Sequence, residues 1–111
     1  MNEPIIDTAV LDELKDTAGA DFVVELVDTF LEEAPQMLAE MRAAQAAGDA
    51  ERYRRAAHSL KSNSQTFGAA GLGAAARAQE LGGLPADGAP IGALQQAYEA
   101  AAAALQELTR G

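Results

Sequence analysis

The chain has no cysteine, which excludes a disulfide framework and any thiolate metal site. Tryptophan is also missing, and the other aromatics come to Phe22, Phe30, Phe67, Tyr53 and Tyr98. A sheet draws on aromatic and β-branched side chains to cover its faces. The abundance here is of Ala and Leu, which favour helices. No apolar run approaches the ~20 residues needed to cross a bilayer. The start, Met1-Asn2-Glu3-Pro4, lacks the basic and apolar regions of a signal peptide. Basic residues are scarce, 8 against 17 acidic ones, for a net charge of -9. Nucleic acids and anionic lipids are bound by neutralising phosphates with Lys and Arg, so neither is an expected partner. A soluble cytoplasmic protein is expected, and 111 residues suffice for one domain, spanning 1–111, with one modest core.

What is present is helical periodicity. Apolar residues recur near every 3.6 positions in five segments. The first runs from Thr8 to Ala18, with Asp7 as N-cap, Val10, Leu11 and Leu14 as its stripe and Gly19 as its stop. The second begins near Asp21 and is expected to bury Phe22, Val23, Leu26, Val27, Phe30 and Leu31. Pro35 interrupts it, yet Leu38 and Met41 continue the stripe, which predicts a kinked helix reaching about Ala47. Gly48-Asp49 reads as stop and restart. A third helix covers roughly Ala50 to Phe67 and a fourth, rich in Ala and Gly and so able to approach its neighbours closely, about Ala70 to Leu81. The turn-rich run Gly82 to Gly88 leads to a last helix from Pro90. Its Ile91, Leu94, Tyr98, Ala101, Leu105 and Leu108 alternate spacings of three and four, the seam of a bundle helix. The prediction is an all-α antiparallel four-helix bundle with an additional short N-terminal helix.

The third helix holds the only histidine. At 100° per residue, Tyr53, Ala56, Ala57, Leu60, Ser64 and Phe67 form its buried stripe, and His58 lies about 160° from Leu60, on the opposite face. Its helical neighbours are Arg54, Arg55, Lys61, Ser62 and Gln65. Four of the eight basic residues, Arg52, Arg54, Arg55 and Lys61, therefore cluster in one segment of an acidic protein. The arginines can be explained as partners of the acidic second helix, since surface ion pairs are common and weak, or, for Arg54 and Arg55, as part of a surface that binds a negative partner beside His58. Lys61 differs, because one helical turn places its ammonium beside the imidazole.

An unprotonated imidazole nitrogen is a nucleophile, and a free imidazole with a pKa of about 6.5 is largely neutral near pH 7. Attack on a phosphoryl donor through the outer nitrogen, Nε2, gives a phosphoramidate, and Lys61 could neutralise charge on the phosphoryl oxygens. A partner on Nδ1 would fix the tautomer. Ser59 and Ser62 are small and leave room for a bulky protein to bring its reactive group to His58. Phosphoryl transfer asks for alignment more than covalent machinery. No P-loop, kinase glycine loop, metal cluster or second histidine accompanies the site. Gln65 faces solvent at the edge of the surface a docked partner would touch, and Gly68 reads as a helix end.

The run His58-Ser59-Leu60-Lys61-Ser62-Asn63-Ser64, with Gly68 ten residues after the histidine, resembles the H-x-L-K-G-S-S…G pattern of histidine-containing phosphotransfer (HPt) domains. The resemblance extends to Phe-Leu-Glu-Glu-Ala-Pro at Phe30 to Pro35, the Gly-Asp turn before the histidine helix, and Ala-Arg-Ala-Gln-Glu-Leu after it. It implies that His58 accepts a phosphoryl group from the aspartyl phosphate of a receiver domain and passes it to another receiver Asp. The partners implied are response-regulator receiver domains and a hybrid sensor kinase. The carrier needs no cofactor, since the receivers supply Mg²⁺, and it is a monomer without kinase activity of its own. His58 matches the phosphorylated position and Lys61 the basic one. Glu80 matches the fourth-helix position where Gln or Glu hydrogen-bonds the inner imidazole nitrogen. Two departures stand out: Ser62 where Gly is commonest, and Gln79 in place of the usual apolar residue before Glu80.

Two other readings make different demands. A helical adaptor or inhibitor whose histidine is never phosphorylated has no need of the His58–Lys61 pair. The dimerisation helices of a sensor kinase carry an acidic residue after the histidine and a Thr-Pro-Leu element beyond it; here Ser59 follows and no such element occurs. Met1 and the compact length favour a free-standing carrier over a piece of a hybrid kinase.

Overall fold

The computed structural model describes residues 5–110. The stretch Met1–Pro4, read above for targeting signals, lies outside them. Five helices follow one another: α1 (Thr8–Ala18), α2 (Ala20–Ala47), α3 (Ala50–Thr66), α4 (Ala70–Gly82) and α5 (Ala89–Arg110). From α2 to α5 each helix packs on the next, α5 closes on α2, and α1 lies against α2. This is the predicted all-helical bundle with its extra N-terminal helix. None of these helices is long and apolar enough to cross a membrane.

Local chemistry sets the helix limits. The Asp7 carboxylate accepts from the Ala9 N–H at 3.1 Å and caps α1. Gly48, at φ 70°, ends α2 and returns its N–H to the last turn; Asp49 then caps α3 through the Arg52 N–H at 3.0 Å. Between α3 and α4 the chain turns at Gly68 (φ 76°), whose carbonyl accepts from the Asp7 N–H at 2.7 Å. A Cβ at Gly68 would meet the Asp7 carbonyl oxygen at 2.6 Å, so the turn and the start of α1 fit only around a glycine.

The helix α2 runs unbroken through Pro35, whose ring faces solvent. Proline removes the N–H that would bond the carbonyl four residues earlier, that of Leu31. The Tyr98 hydroxyl, from α5, donates to that carbonyl at 3.1 Å. The gap in the ladder of α2 is thus closed by its neighbour.

The core joins Val23, Val27, Phe30, Leu38 and Met41 of α2 to Tyr53 and Leu60 of α3, Leu72 and Ala76 of α4, and Ile91, Leu94 and Leu105 of α5. Phe30 packs on Phe67 and Tyr98 with ring centroids 5.3 and 5.9 Å away. Two expected core residues are not there. Phe22 is 51% exposed. The buried line of α2 starts at Val23, and one residue rotates a side chain by 100°, which turns Phe22 outward. Leu108 is 40% exposed. The last turn of α5 runs past the core, and its contacts are polar: Lys15 donates to the Leu108 carbonyl at 3.3 Å and Arg110 pairs with Asp28. Leu26, Leu31, Val10 and Leu14 are only half-buried.

Candidate functional site

Of α3, the buried face is Tyr53, Ala56, Ala57, Leu60 and Ser64. That face turns His58 outward, with 53% of its side chain exposed. The helix alone would leave the ring free to rotate. A second helix holds it. His58 Nδ1 lies 2.8 Å from Glu80 Oε1 on α4, and the other carboxylate oxygen, Oε2, lies 2.9 Å from Lys61 Nζ. One carboxylate therefore bridges the imidazole and the ammonium. Its side chain is only 11% exposed; Oε2 is closed to solvent, and Lys61 reaches it as an ion pair without the alignment of a directed hydrogen bond.

Charge fixes the roles. The Lys61 ammonium, and after it the hydrogen bond to His58, hold the Glu80 carboxyl below the usual carboxylate range, against the opposing effect of burial. An ionised carboxylate only accepts, so Nδ1 must carry the proton. In the neutral ring the lone pair is then on Nε2.

Close approach of α3 and α4 makes the bridge reachable. A Cβ at Gly73 would stand 3.3 Å from Gln65 Cγ and 3.7 Å from Ser64 Cβ, and Ala76 is fully buried. Small residues thus let the two helices nest. Near the far end of α4, the hydroxyl of buried Tyr53 donates to Gln79 Oε1 at 2.7 Å. Gln79, a departure in the sequence, is the acceptor for an α3 phenol.

The remaining cations divide. Arg52 forms a two-pronged pair with Glu40 of α2, as the charged-face explanation anticipates. Arg54 is held by Glu51 one turn back, and also senses the Glu80 carboxylate. Arg55 has no ion pair within 4 Å among the described residues. Ser59, Ser62 and Gln65 are exposed around His58. Ser59 and Arg55 also edge a groove of about 590 Å³ between α2 and α3, opposite Glu33 and Met37. The site thus gathers His58, Lys61 and Glu80 directly and leaves Arg54, Arg55, Ser59, Ser62 and Gln65 as its exposed surround.

Three features escaped the sequence: the Lys61–Glu80 pair, the Tyr53–Gln79 bond and the groove. The first had a signal. His58 stands ten residues before Gly68 and Glu80 twelve after, so a hairpin folded about that glycine brings them level.

The fold has a counterpart among solved structures. The crystal structure of histidine-containing phosphotransfer protein B (HptB) from Pseudomonas aeruginosa PAO1 superposes with a TM-score of 0.76 at 29% identity, covering 98% of this chain and 94% of that one. No curated protein sequence matches. A family model for the Hpt domain matches residues 25–104, well over half of the sequence, and on that ground the chain belongs to the Hpt domain family.

Proposed function

We propose that the protein is a histidine phosphotransfer carrier of a phosphorelay, with His58 as the seat of the phosphoryl group. The observation that supports this most is the exposed imidazole whose Nδ1 is occupied by Glu80, leaving Nε2 as the free nucleophile. In the reading, Nε2 attacks the phosphorus of a receiver's aspartyl phosphate. A P–N bond forms, the P–O bond to the aspartate breaks, and the carboxylate leaves with the electron pair. The Nδ1 proton stays on the ring, directed at Glu80, which stabilises the positive charge the ring acquires. Attack by a second receiver's Asp on the phosphohistidine reverses these changes and restores the neutral ring.

Lys61 serves this chemistry in two ways: it lowers the pKa of Glu80, so that the carboxylate stays ionised to lower pH, and its ammonium is one turn from the incoming oxygens. Arg54, Arg55, Ser59, Ser62 and Gln65 form the rim a receiver touches, with small serines giving clearance. Donor and acceptor are response-regulator receivers and a hybrid sensor kinase, the receivers bring their own Mg²⁺, and the carrier itself is a cytoplasmic monomer without kinase activity.

The test is incubation of the protein with a panel of phosphorylated receiver domains from its source organism, beside a His58→Gln control. Acid-labile, alkali-stable label on the parent and none on the control is the expected result. A folded parent that binds receivers yet takes no label from any of them would replace the carrier with an adaptor.

A further inference from the structure

Near Glu80 the α3–α4 interface offers little that fixes how far one helix slides along the other. Apart from Tyr53, the buried residues there are small, Ala57 and Ala76 among them, with Gly73 nearer the turn. Small side chains let helices approach, but they form shallow ridges, and interdigitation of ridges is what locks register. The turn at Phe67–Ala69 sets the register at its own end. Glu80 sits about ten residues beyond it, roughly 15 Å along the helix. At the opposite end α4 runs into Gly82 and Gly83. Unlike Gly19 and Gly48, Gly83 returns no backbone hydrogen bond to its helix among the described residues. The half of α4 that carries the site's carboxylate thus ends without the backbone cap that closes α1 and α2.

Among the described residues, one directed contact other than the site itself joins α3 to this half: the Tyr53 hydroxyl to Gln79 Oε1, 2.7 Å. Tyr53 is 1% exposed and rooted in the core, so its hydroxyl is a fixed point. Gln79 is the immediate neighbour of Glu80, and any slide or rotation of α4 that breaks the Tyr53 bond also moves the carboxylate off His58.

We infer that Tyr53 and Gln79 are positioning residues for His58: their part-buried hydrogen bond sets the register of α4 that presents Glu80 to Nδ1 and so selects the nucleophilic tautomer. The kinetic part of this inference rests on the carrier reading. The tautomer part does not, since it concerns the resting ring.

The test compares parent, Tyr53→Phe, Gln79→Met and the double variant, all ¹⁵N-labelled on histidine, at matched helicity. Two readouts are taken: the ring ¹⁵N spectrum in alkaline buffer, and the rate of labelling by potassium phosphoramidate, which transfers its phosphoryl group to Nε2 and releases ammonia without a docked protein. The parent is expected to show a pyrrole-type Nδ1 and a pyridine-type Nε2. Each single variant should shift toward the Nε2–H form that an unconstrained histidine prefers, and label slower by on the order of tenfold, the scale of a small misplacement of a reacting group. The double variant should be no worse than either single one, because both remove one bond. Ring spectra that match the parent in both single variants would overturn the inference, as would effects that simply add. If the spectra shift as expected while even the parent takes no label from phosphoramidate or a receiver, the positioning role stands and the carrier reading falls.

Discussion

Lys61 Nζ stands 2.9 Å from Glu80 Oε2, the carboxylate oxygen that His58 does not use. The cation is therefore engaged in the resting protein. It acts on the imidazole through the carboxylate, by keeping charged the group that accepts from Nδ1–H. A hydrogen bond to an ionised acceptor is roughly twice as strong as one between neutral groups, so the lysine extends to lower pH the range over which the ring is held.

Replacing Lys61 with Met keeps the stem and removes the charge. Glu80 then loses the largest of the influences that depress its pKa, and its pKa rises. Toward pH 5, phosphoramidate labelling of His58 should slow by up to about tenfold, equivalent to ~1.4 kcal/mol, close to the lower end of the range for one hydrogen bond to a charged group. Near pH 8 Glu80 is ionised with or without the lysine; near about pH 5 the variant has more of it protonated. The ratio of parent to variant rates should therefore grow as pH falls. A ratio independent of pH would place the effect of Lys61 on the phosphoryl oxygens alone.

The same depressed pKa makes a prediction for stability. A carboxyl whose folded pKa lies below its unfolded value, about 4.3, stabilises the fold above that value. The contribution disappears as pH falls through the folded pKa. The difference in urea midpoint between the parent and Glu80→Gln should thus be widest near neutral pH and close below about pH 4. A gap that widens below about pH 4 would mean that burial, not Lys61 and His58, governs Glu80.

Tyr98 and Pro35 make a pair that can be tested by double-mutant cycle. In the parent, Tyr98→Phe leaves the Leu31 carbonyl without its donor, at a cost of about 1–2 kcal/mol. Changing Pro35 to Ala restores the backbone N–H of α2 and gives that carbonyl a partner within its own helix. In the Pro35→Ala background the tyrosine change should cost at least ~0.5 kcal/mol less, a coupling within the usual range for contacting groups. Equal costs in both backgrounds, read from thermal or urea melts, would show that the hydroxyl contributes nothing to mending the proline gap.

These relationships show which parts of the molecule can be read before folding. Asp7 and Gly19 bound α1 because caps act over two to four residues, and the α3 stripe from Tyr53 to Ser64 follows from periodicity alone. Phe22 and Leu108 misled because periodicity says that a face is apolar, not where its edge falls or how far a partner helix extends. The Tyr98–Leu31 and Tyr53–Gln79 bonds join residues 67 and 26 positions apart. Their signals were oddities, a proline inside a helix and a glutamine in an apolar slot, whose partners only the packed bundle reveals. At the site, helical spacing presents His58 and Lys61 together. Their sharing of one carboxylate depends on the turn at Gly68 and on the small residues of α4.

Ser62 tests the docking surface separately from the chemistry. It is exposed on α3 one turn beyond His58, and a Trp there stands up from the helix where a receiver must bring its aspartate. The change touches no core residue, and Trp and Ser have nearly equal helix propensities, so the bundle should keep its melting behaviour. Transfer from a phosphorylated receiver should slow by on the order of tenfold or more, since a displacement of about an ångström is enough to cost that much. Phosphoramidate is small and needs no docking, so it should label the Trp variant at close to the parental rate. If both donors slow together, the indole is disturbing His58 itself; if neither slows, the receiver approaches from another side, and the groove edged by Ser59 and Arg55 becomes the face to probe.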